Sequence, residues 1–423
     1  MICKIEAVNY RCLRNISQAL GGFHVVAGPN GSGKSTFFEV IKVLGAFASH
    51  GLESVWEESK SQQFAELLFC GQGNSFQFAA ELEVPEEVSK ELGRKNGDRK
   101  QFLRYELEIG YRSAAKEPRI LAENLWVMNK PTESSRTELV QDELKFPSSS
   151  RAERSLISGK HKTPAGWRKV AGKATPENAY FKSETSEWNF TLKNGVQRSA
   201  LSSLPEEEER FGLANWAKGI LTQGAQKLML RSEAMQKPCG PLKERRFLPD
   251  GSTLPLVVRQ LRKHEQRFQL WLAHLQTILP IKDIEVVERE EDKHSYLRVT
   301  YDPGTKVPSW HLSDGTLRML ALTLLPYVET KGAVYLIEEP ENGIHPPAVE
   351  AVYRSLSSIY EGQALVATHS PVLVGLIELK QLLCFSRTAE GETDIVSGDQ
   401  HPKLKQWQKD FRLSQLFAAG VLG

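Results

Sequence analysis

The 423-residue chain has room for one large or two ordinary domains, and its 25% charged and 40% hydrophobic residues are those of a soluble globular protein. A net charge of +2 makes the chain neither polycation nor polyanion, so any basic surface has to be local. Five scattered cysteines without a C-x-x-C pair suit reduced thiols in the cytoplasm and offer no metal-site spacing. The start "MICKIEAVNYRCLRN" lacks an apolar core of signal-peptide length, and no apolar run reaches the roughly 18 residues of a membrane span.

In chain order, the first stretch that carries chemistry is "FHVVAGPNGSGKSTFFEVIKVLGAF". Phe23 to Ala27 read as a short apolar strand, and Phe37, Phe38, Ile41, Leu44 and Phe47 recur at helical spacing. Between them stands Gly28-x-x-x-x-Gly33-Lys34-Ser35, in the strand–loop–helix context that a phosphate-binding loop requires. Gly28, Gly31 and Gly33 allow a tight loop whose N–H groups face phosphate, and the helix adds its N-terminal dipole. Lys34 is expected on the β and γ phosphates and Ser35 on Mg²⁺. Pro29, Asn30, Ser32 and Thr36 complete the nucleotide-binding run.

Residues 76 to 128 alternate in runs such as "FQFAAELEV" and "FLRYELEIGY", which predicts antiparallel strands flanking the loop. "KNGDRK" (95–100) reads as a basic hairpin or loop tip. From Ser150 to Lys182 there are eight Lys/Arg and two Glu, a local basic excess. That excess suits either a polynucleotide backbone or a solvated loop. "WNFTLKNGVQRSAL" predicts a hairpin turning at Asn194-Gly195. Ser203 and Glu206 stand in capping-box positions before a helix striped by Leu213, Trp216, Ala217, Ile220 and Leu228. A second helix is expected over about Leu256 to Ile278. With no sustained heptads, 205–280 reads as a compact helical insertion, a cap or docking surface and not a coiled-coil arm. "IEVVER" and "YLRVTY" return to strand.

"SWHLSDGTLRMLALTLLPYVET" then opens a buried apolar helix behind Ser313-Asp314-Gly315, a plain N-cap or an anion-binding device. "AVYLIEEPENGIHPP" runs four apolar residues into Glu338 and Glu339. "ALVATHSPVLV" ends a second apolar strand in Thr368-His369-Ser370. In an open α/β sheet, ligands gather beyond the carboxyl ends of the strands, where the phosphate loop, the glutamate pair and His369 would converge.

Order, spacing and context together resemble the ATP-binding cassette (ABC) ATPases, in their soluble SMC/RecF/OLD-like branch. The resemblance implies an α/β P-loop NTPase fold, an ABC-type ATPase head with a flanking antiparallel β subdomain and a helical insertion. It implies lobes at 1–204 and 281–423 around 205–280, with ATP and Mg²⁺ as cofactors. By motif, Glu338 is the magnesium-side residue, Glu339 the catalytic base and His369 the switch histidine. Ser313, Asp314 and Gly315 would contact ATP held by a second copy, and Glu341 to His345 would cross the dimer interface. Glu338 stands where the family usually has Asp, and Leu312-Ser313-Asp314-Gly315-Thr316 departs from the transporter signature L-S-G-G-Q. Gln72 is the candidate glutamine loop on the metal side. "IEAVNYRCLRN" looks like the branch's first strand and Asn-aromatic-Arg turn, which would bring Arg11 toward the nucleotide.

The resemblance extends to ATPase subunits of bacterial anti-phage defence systems, through "FLPDGSTLPLVVRQLR" and "WQKDFRLSQLFAAGVLG". It implies an ATP-sandwich homodimer, or a higher homo-oligomer, that controls a separate effector encoded nearby, a nuclease in that family's habit. The chain closes soon after the cassette, with no appended nuclease expected. The alternative is a RecF-like repair ATPase that binds DNA in an ATP-dependent way, with 150–182 as the contact. No membrane partner is expected.

Overall fold

The structure is a computed structural model that describes residues 1–92, 101–111, 117–132, 146–148, 155–159, 163–241, 246–329, 331–405, 413–420 and 422. The "KNGDRK" tip at 95–100 lies outside the described residues, as do 150–154 and 160–162 of the basic stretch and 406–412 near the end.

A six-stranded sheet carries the site. Its order is Ala225–Leu228, Val334–Glu338, Gln363–Thr368, Phe23–Ala27, Leu382–Arg387 and Thr393–Ser397. The first five strands are parallel and the last returns antiparallel. Apolar residues of Phe23–Ala27 alternate between two cores, Val26 in one and Val25 and Ala27 in the other. Burial on both faces explains why these strands read as continuous apolar runs. Register aligns their carboxyl ends: Glu338 lies opposite Ala367, and Thr368 opposite Ala27. The loops carrying Gly28, Glu339 and His369 therefore leave the sheet at one edge.

The second sheet has eight antiparallel strands: Leu13–Ala19, Ile2–Tyr10, Ser75–Glu83, Phe102–Tyr111, Pro118–Met128, Trp167–Thr175, Asn178–Lys182 and Asn189–Lys193. The helix Lys34–His50 shares one core with apolar residues of both sheets, and Phe37, Phe38, Val40, Ile41, Val43, Leu44 and Phe47 are fully buried in it. This all-round burial fixes the helix, and with it the phosphate loop. The polar side of the antiparallel strands is not left to water. Arg104 pairs with Glu6, Glu81 and Glu106, and Ser158 N–H donates to Glu106 (3.0 Å), so a strap of chain covers that face.

Four local expectations are corrected. Asn189–Lys193 pairs only backward, with Asn178–Lys182. No hairpin turns at Asn194-Gly195, because Lys173 Nζ donates to Asn194 Oδ1 (2.7 Å) and the Gly195 carbonyl (2.6 Å) and diverts the chain. No capping box forms at Ser203 and Glu206, since a 3-10 turn occupies Leu201–Ser203 and the helix begins at Glu208. The helix expected over 256–278 is two, Leu254–Arg262 and Glu265–Gln276, broken where His264 leaves helical geometry. Finally, the helical segment 205–280 threads Ala225–Leu228 into the parallel sheet, so those four residues belong to the sheet that carries the site.

Candidate active site

Beyond the carboxyl ends of the parallel strands lies a cleft of about 600 Å³. Asn30, Gly31, Gly33, Lys34, Ser35 and Thr36 line one side, and Glu338, Glu339, Asn342 and His369 line the other. Three separate stretches of sequence thus meet in one cavity, as their place at strand ends predicts.

The phosphate loop is shaped from behind. Gly33 has φ +100°, and a Cβ there would sit 2.3 Å from Thr393 Oγ1, so only glycine fits. Thr393 Oγ1 donates to the Ser32 carbonyl (2.9 Å), and Thr393 N–H donates to the Cys12 carbonyl (2.8 Å). The returning hairpin therefore fastens one carbonyl of the loop. Lys34 Nζ donates to the carbonyls of Gly28 and Pro29, both at 2.8 Å. Burial lowers the Lys34 pKa, and the charges of Glu339 and Glu338 oppose that shift.

The two glutamates have different surroundings. Glu338 ends its strand with Oε2 2.9 Å from Lys227 Nζ, while its Oε1 is buried without a hydrogen-bond partner. Glu339 has φ +49°, a left-handed backbone that a non-glycine residue adopts only when its surroundings impose it. They do: Glu339 N–H donates to the Ala367 carbonyl (2.7 Å), and Asn342 Nδ2 donates to Glu339 Oε2. Thr368 Oγ1 donates to Glu341 Oε1 and accepts from Ser370 N–H (2.9 Å), which ties the loop after Glu339 to the segment bearing His369.

Ser313 is an exposed N-cap of the helix Asp314–Leu324, its Oγ accepting from Thr316 N–H (3.2 Å). Ser313, Asp314 and Gly315 do not line the cleft of their own chain. Neither do Arg11 and Gln72. Arg11 donates to the Ser59 carbonyl (2.6 Å) and Ser61 Oγ (3.1 Å) and pairs with Glu39 (3.2 Å). Gln72 is exposed, its carbonyl accepting from Asn9 Nδ2 (3.1 Å). Sequence reasoning missed Cys12, Lys227, Arg231 and Arg318, which all line the cleft. No local motif marks them; each is brought in by a neighbouring strand or helix. Ser35 and Glu338 face the same cavity, and a buried, unpartnered carboxylate oxygen is a donor that suits Mg²⁺.

Residues 23–375 match the sequence model of the family described as "AAA domain, putative AbiEii toxin, Type IV TA system". The chain belongs to this family. It is also similar to Protein ea59 of Escherichia phage lambda, 28% identical over 130 residues, which cover 26% of this chain and 25% of that protein. The chain thus matches only about a quarter of that relative's length. Among solved structures it is similar to an SMC head bound to the C-winged helix domain of ScpA, at 14% identity and TM-score 0.53, over 94% of this chain and 97% of that one. That likeness is one of fold: the molecule has the P-loop α/β fold seen in an SMC head.

Proposed function

We propose that this family member binds and hydrolyses ATP as a switch, with two copies closing on two ATP molecules and passing the change to a separate effector protein. The observation that carries the reading is the convergence of Lys34, Ser35, Glu338, Glu339 and His369 on one cleft from three aligned parallel strands. In this reading the loop N–H groups and Lys34 hold the triphosphate. Glu339, oriented by Asn342, accepts a proton from the attacking water. His369 faces the γ-phosphate side. Ser35 and Glu338 hold Mg²⁺, which when bound neutralises charge on the β and γ phosphates. The two lobes, 1–204 and 281–423, act as one head, with 205–280 as the surface left for regulation apart from its core strand.

Pairing of two copies is supported by the exposure of Ser313 and Asp314 away from their own cleft. The family description, with its toxin and TA system, supports a role in bacterial defence, and the ScpA-bound SMC head supports docking of a partner protein on this fold. We place the protein in the cytoplasm. Among the described residues no helix is long and apolar enough to cross a membrane.

Lys34→Ala should abolish ATP binding, and Ser313→Arg should leave ATP bound by a folded monomer yet prevent ATP-driven pairing in sedimentation. Pairing that persists in Ser313→Arg sinks the sandwich. Steeply salt-dependent, ATP-dependent DNA binding by the chain alone would instead select the RecF-like alternative.

A further inference from the structure

The cleft contains an ion pair that a phosphate loop does not require. Lys227 lies in the strand Ala225–Leu228, in parallel register with Val334–Glu338. Its Nζ is 2.9 Å from Glu338 Oε2, the two side chains are 29% and 30% exposed, and both residues line the cleft. Glu338 Oε1 is buried and has no hydrogen-bond partner among the described residues. A bare buried carboxylate oxygen is costly, and one ammonium on the other oxygen offsets only part of that cost.

The consequence concerns charge. A triphosphate entering this cleft without metal meets two carboxylates, Glu338 and Glu339, with Lys34 as the counter-charge on the loop side and the guanidinium groups of Arg231 and Arg318 elsewhere on the wall. Lys34 is already engaged with the Gly28 and Pro29 carbonyls. Lys227 is a second ammonium on the opposite wall, held against the one carboxylate that faces the expected metal. Its backbone is fixed by a strand of the core sheet.

On the reading that ATP occupies this cleft, we propose that Lys227 is a positioning residue for Glu338, whose pairing neutralises that carboxylate so that the cleft accepts triphosphate more readily before Mg²⁺ arrives. Lys227 neutralises the carboxylate in the metal-free state, and nucleotide binding therefore depends less on Mg²⁺ than two bare glutamates would allow. Glu338 keeps its free oxygen for the metal.

The test is the affinity of the full chain for a fluorescent ATP analogue, measured in EDTA and in saturating Mg²⁺. Lys227→Met should weaken binding in EDTA by about tenfold, the loss of one charge-assisted contact, while binding in Mg²⁺ changes by less than about threefold. The double variant Lys227→Met/Glu338→Gln removes both charges and should return EDTA binding to within about threefold of the wild type. Glu338→Gln alone, which keeps the lysine, should tighten binding in EDTA, and it serves if Lys227→Met fails to fold. An EDTA-to-Mg²⁺ affinity ratio unchanged in Lys227→Met, or in Glu338→Gln, overturns the assignment. A wild-type chain that binds no analogue even in Mg²⁺ overturns the ATP reading and this inference together.

Discussion

Gly315 packs so tightly on Gly343 that a Cβ at position 315 would sit 2.4 Å from the Gly343 carbonyl oxygen. The signature helix and the loop that follows the glutamate pair are thus in backbone contact within one chain. The lack of a side chain at 315 has a cause inside the monomer, before any second copy is considered. The same loop holds Asn342, which donates to Glu339, so pressure on Gly343 reaches the candidate base through one residue.

Gly315→Ala should therefore displace the 341–345 loop. We expect a loss of about 1–3 kcal/mol in chemical denaturation, the usual range for overpacking a tight contact. ATP turnover should fall with it in a nucleotide-saturated assay. Unchanged stability and turnover would mean that the loop yields freely.

Much of the site was legible because each of its parts is local. A strand end and the chemistry it carries occupy a few consecutive residues, as in Ile337-Glu338-Glu339 and Ala367-Thr368-His369, and the apolar run before each one declares the strand. The parts that were missed are held by residues far away in sequence. Lys227 reaches Glu338 only because a four-residue strand inside a helical segment joins the sheet, and four residues carry too little periodicity to announce it. Thr393 grips the Ser32 carbonyl from a hairpin that looks ordinary. Arg11 lies away from the cleft: its turn has positive φ, and Glu39 and the Ser59 carbonyl hold the guanidinium. Alternation in the antiparallel strands was read correctly. Sequence could not show that Glu81 and Glu106 are fully buried, since that depends on Arg104 and the strap above them.

The cysteines offer a direct probe of cleft occupancy. Cys12 is half-buried and lines the cleft, Cys70 is exposed, and burial pushes the Cys384 and Cys3 thiols up to about 12. Near pH 8, alkylation followed by mass spectrometry should label Cys70 and Cys12 and spare Cys384. Saturating ATP should slow labelling of Cys12 and leave Cys70 unaffected. Equal rates at Cys12 with and without ATP would place the nucleotide elsewhere.

Lys34 gives a pH dependence with two signs. Its folded pKa is lowered by burial, so in the window between that pKa and the ordinary lysine value the unfolded chain binds more protons. Its contribution to stability without nucleotide should rise with pH through this window. ATP affinity should fall over the same window, because the ammonium that meets phosphate is being lost. Comparing wild type with Lys34→Met by denaturation across alkaline pH isolates the first effect, and titrating wild type with ATP isolates the second. An affinity flat up to the ordinary lysine range would show that Lys34 is not the phosphate counter-charge.

Glu339, strained at positive φ and oriented by Asn342, is the candidate base of the proposed ATP-hydrolysing cleft. Glu339→Gln keeps the shape of the side chain and removes its ability to take a proton. Single-turnover ATP hydrolysis by this variant, read beside its ATP-bound mass in light scattering, is the most direct measurement. We predict intact ATP binding, a drop in hydrolysis of about 10²–10⁴-fold and accumulation of an ATP-bound dimer. Normal hydrolysis by Glu339→Gln, with loss in Glu338→Gln instead, would contradict the account and exchange the roles of the two glutamates.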